Sequence, residues 1–409
     1  MKRRKLTSTA DLKSLNRKRR VRLRDFRSTS GTGIIDLLVP LAFRSSRKGA
    51  AAGTCELRKA STRRDVIKGS AALGLTLFAA PLRAAAPEPV AITPQLVEAA
   101  KIDGKLVLYS AMDLPVGEKL GKAFEAQYPG IQVQIERTGS ERLFQRIEQE
   151  FASGIHAADV VNSADASHFI PWKRNGWLAP FVSEDIARYF PPQYRDGDGM
   201  FATTRLWLSS IAYNTRLVKP EDAPKSFADL LDPKWAGKMV KGHPAYSGTI
   251  MTTTFQLVRE LGWEYLEKLS KQRVMQVQSS TDPPKKLALG ERAVMADGNE
   301  YNAVLLKEAG QSVEPVYPAE GTPTISGPTG IFASAPHPNA ARLFQAWLHT
   351  RQTQQFFTDF TAQYSVHPQV QAKPGRRSIA DIKLMKEDPA GVEKTAEEIK
   401  TRYARLFRV

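Results

Sequence analysis

The sequence predicts an α/β protein of two lobes, and three observations carry that expectation. From Pro94 to Gly176, helical and strand patterns alternate with short loops between them. That order gives parallel strands covered by helices. Residues 87–409 are long enough for two α/β lobes rather than one core. Two extended stretches, Phe201–Asn214 and Gly321–Gly330, read as places where the chain crosses between lobes. There is no internal repeat.

What precedes this body is an export leader. Arg63 and Arg64 stand just before the uncharged run Gly69–Leu82, and small residues follow at Ala84–Ala86. A charged region, an apolar region and a small-residue cleavage zone in that order make a signal peptide at 61–86. The arginine pair makes it a twin-arginine signal. The run is shorter than the ~20 residues a membrane-spanning helix needs, and no cysteine follows it to carry a lipid. The expectation is therefore an exported, periplasmic, monomeric body without a stable membrane anchor. Residues 1–60 are basic and lack periodicity. Either translation starts near Cys55, or this segment is a disordered basic tail.

Removing the leader changes the charge argument. Residues 1–86 hold 21 Lys and Arg against 5 Asp and Glu, and residues 87–409 hold 38 against 37. The basic character of the chain thus belongs to the leader, and the body gives no electrostatic reason to expect a nucleic-acid partner. Cys55, the only cysteine, also lies in the leader. The body accordingly has no disulfide framework and no cysteine-based zinc site.

Along the body, Thr93-Pro94 reads as an N-cap followed by proline at the first helical position. Leu106–Tyr109 is a buried strand. Val116, Leu120, Ala123 and Phe124 share one helix face. Ile131, Val133 and Ile135 alternate as a strand, and Ser140 is placed to cap the helix carrying Leu143, Phe144, Ile147 and Phe151. Asp159–Val161 is a third strand. The loops beyond these strands are Ser110–Pro115, Thr138–Ser140 and Asn162–Asp165, at the end where open α/β sheets bind ligands. They offer Ser110, Asp113, Thr138, Ser140 and Asp165, with ordinary strand-to-helix turns as the alternative.

Arg205 lies in the first crossing. Asp232–Gly237 ends a short helix, and Tyr246-Ser247-Gly248-Thr249 opens one that runs to about Leu261. Small hydroxyl residues and glycine at a helix start expose N–H groups to an anion. Ala293–Ala296 is a strand, and Asp297 to Asn302 opens a helix to Gly310. Asp297, Asn299 and Tyr301 put acceptor, amide and phenol at one junction; capping by Asp297 or Asn299 is the alternative.

Several segments in order resemble one family. They are Lys105–Ala111 (KLVLYSA), Ala158–Ala166 (ADVVNSADA), Ile211–Val218 (IAYNTRLV), Ser226–Met239 (SFADLLDPKWAGKM), Gly327–Leu348 and Tyr364–Val370. The body resembles bacterial extracellular solute-binding proteins of ABC importers, in the branch of ferric-iron, phosphonate, thiamine and polyamine receptors. The resemblance implies a type II periplasmic-binding-protein fold, with mostly parallel sheets flanked by helices and joined by hinge strands. It divides the chain into 87–204 and 321–350 for lobe 1, 205–320 for lobe 2, and a helical C-terminal segment 351–409. It implies an ABC permease and ATPase as partners, a small-molecule or metal ligand, and no catalysis. On the family's Fe(III) site, Asp113 falls at the histidine position, Ala164 or Asp165 at the acid position and Tyr301 at the first tyrosine, so that Asp113, Asp165 and Tyr301 are the candidate metal ligands; the second tyrosine of the family pair is Asn302 here. The Ser247–Thr249 loop and Asn299 match the family's phosphate cradle. The implied ligand is a small anionic solute, or Fe(III) with a phosphate-like anion; a phosphonate, thiamine or polyamine is the alternative. A periplasmic hydrolase is the competing class. Against it, no histidine sits in a motif with a nucleophile, and no G-x-S-x-G, H-E-x-x-H or Walker pattern is present.

Overall fold

The computed structural model describes residues 86–409, all within one compact unit, Phe78–Val409. The signal-peptide and leader expectations lie outside the described residues. Among those residues no helix is long and apolar enough to cross a membrane.

The strands are β1 Lys105–Ser110, β2 Gln132–Arg137, β3 Val160–Asn162, β4 Leu178–Ala179, β5 Ala202–Leu208, β6 Ile211–Asn214, β7 Met239–Gly242, β8 Met275–Val277, β9 Val294–Met295, β10 Val313–Val316, β11 Thr322–Phe332 and β12 Leu384–Met385. The helices are α1 Pro94–Asp103, α2 Leu114–Gln127, α3 Ser140–Ala152, α4 Phe169–Arg174, α5 Glu184–Tyr189, α6 Gly248–Ser270, α7 Asp282–Ala288, α8 Glu300–Glu308, α9 Pro338–Leu348, α10 Arg351–Thr361 and α11 Pro389–Phe407.

Two sheets result. The first runs β12-β11-β3-β1-β2, with β4 and β5 also on β11; the second runs β10-β6-β9-β7-β8. Pairing is parallel from β1 to β2 and β3, and from β7 to β8 and β9. It turns antiparallel where the crossing strands join, from β11 to β3 and β5, and from β6 to β9 and β10. Each sheet has its own core. Leu106, Leu108, Leu120, Phe124, Phe344 and Trp347 pack beside the first. Ile211, Phe227, Trp235, Leu257 and Leu266 pack beside the second. The two lobes are linked by β5 running into β6 and by the return through β11. A register shift at Gly327/Pro328 interrupts the β5–β11 pairing.

The local expectations hold where periodicity is strong. The Thr93 side chain caps α1 by accepting from the Leu96 N–H, and α2 buries Leu120 and Phe124. Others are corrected. Gly139, not Ser140, is the N-cap of α3, and Ser140 is the first helical residue. The segment around Asp232–Gly237 is a pair of 3-10 turns, because Pro233 interrupts the backbone ladder. The helix from Gly248 ends at Leu261 as read, because Gly262 has non-helical backbone with φ 76°; a second helical stretch follows directly to Ser270, and the two together are α6. The tail contains the short strand β12, which pairs with β11.

Candidate functional site

A cavity of about 250 Å³ opens between the two sheets. Its first wall comes from the loops after β1, β2 and β3, which bring Asp113, Arg137, Ser140 and Ala164. Strand β5 sends in Arg205 and Trp207. The second lobe contributes Tyr246, Ser247 and Thr249 at the start of α6, the loop Gln278–Asp282, and Asn299 with Tyr301 at the start of α8.

The N-cap residues of five helices line this cavity: Asp113, Gly139, Ser247, Thr281 and Asn299. None makes a side-chain cap hydrogen bond. By contrast Thr93, Ser183, Thr350 and Asp388, away from the cavity, each cap their helix with a side-chain oxygen. The first N–H groups of a helix have no intrahelical acceptor. The starts of α3, α6 and α8 therefore give the space positive potential and N–H donors, whereas Pro115 in α2 and Pro283-Pro284 in α7 remove donors from the other two.

Side-chain charge adds to this. Arg137, Arg142 and Arg205 line the cavity against Asp113 and Asp282. Arg205 is buried and stacks on Trp207 at 4.8 Å. It donates from one terminal nitrogen to Asn162 Oδ1 at 3.1 Å, while its Nε is buried without a partner. Burial lowers its pKa from the ordinary guanidinium value, and Tyr301 and Asp113 oppose that.

Tyr301 and Asp113 meet across the lobes. The Tyr301 hydroxyl donates to Asp113 Oδ2 at 3.3 Å and accepts from Asn299 Nδ2 at 3.0 Å. Asn302 Nδ2 donates to the same carboxylate oxygen at 3.4 Å. Burial, reinforced by the Asp113 charge, raises the Tyr301 pKa well above the usual phenol value. Tyr301 is accordingly a neutral phenol in this arrangement.

Of the other expected residues, Gly248 opens α6 against Ser140 and Asp165, where a Cβ would stand 2.7 Å from Asp165 Cβ. Gly248 itself and the remaining four lie outside the cavity lining. Ser110 is fully buried and its Oγ accepts from the Met112 N–H, shaping the turn. Thr138 donates its N–H to Ser110 O. Asp297 forms a buried ion pair with Lys241 at 3.1 Å and accepts from the Gly242 N–H. Asp165 accepts from the Ser167 N–H and lies 4.0 Å from His168 Nε2. The three candidate metal ligands are therefore not gathered: Asp113 and Tyr301 touch, and Asp165 belongs to another group.

That other group is Glu141, Asp165 and His168, the one set of three His, Cys, Asp or Glu side chains among the described residues close enough to share an ion. His168 Nε2 lies 3.2 Å from Glu141 Oε1, and Lys400 of α11 lies 3.1 Å from Glu141 Oε2. Burial works to lower the His168 pKa, but the two carboxylates outweigh it and the net shift is upward. A protonated His168 with Lys400 balances both acids.

Sequence reasoning missed Arg137, Arg142, Trp207 and Gln278–Asp282. A signal existed for each of these. The arginines flank the Thr138–Ser140 loop. Trp207 is two residues from Arg205 on one strand, hence on one face. Ser279-Ser280-Thr281 precedes a helix start as Tyr246-Ser247 does.

Comparison with known proteins accords with this geometry. Residues 108–355 match the family model described as bacterial extracellular solute-binding protein. A probable ABC transporter periplasmic-binding protein, y4fP of Sinorhizobium fredii, is 27% identical over 300 residues, covering 69% of this chain and 80% of that protein. The periplasmic binding protein AfuA of Actinobacillus pleuropneumoniae, solved with fructose-6-phosphate, superposes with TM-score 0.69 at 23% identity, over 75% of this chain and 99% of that one. Iron-bound HitA of Pseudomonas aeruginosa gives TM-score 0.64 at 25% identity, over 74% and 98%. The chain belongs to the bacterial extracellular solute-binding proteins, the receptors of ABC transporters.

Proposed function

We propose that this receptor captures a small organic anion, most simply a phosphate monoester of a polyol, without a metal ion. The observation that carries the reading is the convergence of three uncapped helix starts, those of α3, α6 and α8, with Arg137, Arg142 and Arg205 on one cavity. The anionic head would take the α6 start and the arginines. Asp113, Asn299 and Tyr301 offer an acceptor, an amide and a phenol to hydroxyl groups. The sugar phosphate seen with AfuA has this chemistry. Fe(III) with a phosphate-like anion is the second reading, favoured by the Asp113–Tyr301 contact and by iron-bound HitA. One feature weighs against it: Asp165 faces His168 and is not gathered with Asp113 and Tyr301. Closure of the lobes on the ligand, and delivery to an ABC permease driven by its ATPase, complete the role.

Calorimetry with fructose-6-phosphate, inorganic phosphate, and Fe(III) with and without phosphate tests the reading. The sugar phosphate should bind without iron. A ligand at 100 times its dissociation constant should add about 2.7 kcal/mol to stability. Arg205→Met should weaken that binding by roughly 10- to 100-fold, the scale of a lost charge-assisted hydrogen bond. Binding seen only with Fe(III) would overturn the organic-anion reading.

Export by the twin-arginine route is part of the same proposal and rests on Arg63-Arg64 before Gly69–Leu82. Replacing both arginines by lysine should retain the protein in the cytoplasm. Undiminished periplasmic accumulation of that double variant would exclude the route.

A further inference from the structure

A second cavity, of about 700 Å³, lies on the other face of the β5–β11 crossing. The register shift explains how one strand serves both cavities. Arg205 pairs with Gly327, but Thr203 pairs with Pro328, leaving Thr204 as the extra residue. Such a bulge reverses the side-chain alternation. Arg205 and Trp207 therefore enter the first cavity, while Thr203 joins Thr324 and Ser326 in the second.

The walls of the second cavity are largely apolar and include Tyr194, Phe201, Ile170 and Met385. One carboxylate stands in it without a counter-ion. Glu387, between β12 and α11, accepts from the Ser326 N–H at 2.5 Å. Burial pushes its pKa up to about 7, and Asp165 adds to the rise; no neighbouring cation pulls it back. The other charged groups nearby do not act on Glu387 as counter-ions. All three line the cavity as well: Asp196 is held by Lys173 at 2.6 Å, Arg195 donates from one terminal nitrogen to the Ile186 and Ala187 carbonyls, and Lys386 is exposed at the rim. The α11 start does not call for an anion, because Asp388 already caps it by accepting from the Gly391 N–H. Tyr194 is close enough for the Glu387 charge to raise its own pKa, after burial. A carboxylate beside aromatic faces in an apolar space suits a cation with an organic body.

We propose that this cavity is a second ligand site, for a small protonated amine bearing an apolar group, with Glu387 as its counter-ion and Tyr194 and Phe201 as aromatic walls. It uses none of the residues that line the anion cavity. The proposal therefore does not depend on which anion binds there.

The test compares phenethylamine with phenethyl alcohol, which has the same shape without the charge, by titration calorimetry on the full-length purified protein. The amine should bind, and the alcohol should bind at least about tenfold more weakly, the worth of one charge-assisted contact. Glu387→Gln should erase that preference while leaving anion binding at the first cavity unchanged. Equal binding of amine and alcohol to the wild-type protein overturns the proposal without recourse to any variant. So does the absence of amine binding at millimolar concentration, or an amine affinity that survives in Glu387→Gln.

Discussion

Gly139 and Gly248 set how near the lobes come. A Cβ on Gly139 would lie 3.0 Å from the Tyr246 carbonyl oxygen. One on Gly248 would lie 2.7 Å from Asp165 Cβ and 3.0 Å from Ser140 Cβ. Carbon atoms do not pack at such distances, so Gly248→Ala must push the α6 start away from α3. Anion affinity should fall at least about tenfold, since a ~1 Å displacement of binding groups can cost far more. Overpacking should lower unfolding stability by only about 1–3 kcal/mol. Calorimetry beside thermal unfolding checks this, and an unchanged affinity would show that close approach is not needed. At this scale the sequence is legible where a side chain acts through its own neighbours in the chain. Ser247, Asn299 and Tyr301 stand at helix starts whose type is written locally, and all three reach the cavity. Asp297 has the same local signature but serves Lys241, which lies on the parallel neighbour strand β7. Nothing near Asp297 in the sequence announces that lysine.

Among elements, α2 and α3 are legible because both are long and carry a clean apolar stripe. The parallel first sheet follows from their alternation with β1 and β2. The role of α11 is not legible, because a charged amphipathic helix can dock anywhere that offers an apolar face. It packs Val392 and Ile399 against Met251 of α6. Its Tyr403 hydroxyl accepts from buried Lys241 at 2.7 Å. From the same helix Lys400 reaches Glu141 on α3, and Glu393 reaches Arg174 on α4. One helix thus holds the second lobe by an apolar face and the first by ion pairs. The partly exposed Arg174–Glu393 contact contributes little by itself. The near-fully buried acid at Glu141 depends more on its cations, which lower its pKa against the pull of burial.

For the molecule as a whole, buried histidines set an acid limit. Burial pushes His349 down to about 4, and burial with the Lys241 charge pushes His243 to about 4. Unfolded histidine titrates near 6.5. Between those values the unfolded chain binds more protons, so stability is complete above pH ~6.5 and is lost as pH falls toward 4. His349 alone accounts for about 3 kcal/mol of that loss. His168 and the carboxyl of Glu387, both raised instead, work in the opposite direction and gain on acidification. The histidine contribution is therefore read from the variant: between pH 6.5 and 4 the melting temperature of His349→Asn should fall less, or rise more, than that of the wild type, and an identical slope would contradict this origin. The crossing strands also govern the order in which the molecule can be made. Every strand of the second sheet lies between residues 211 and 316, whereas the first sheet needs β11 and β12 from beyond residue 321. On the ribosome the second sheet can be complete first, while β3 and β5 of the earlier one wait with open edges for β11. Open edges are where unfinished chains stick to one another. Synthesis of this receptor thus carries its aggregation hazard in the lobe that begins first and whose sheet closes last.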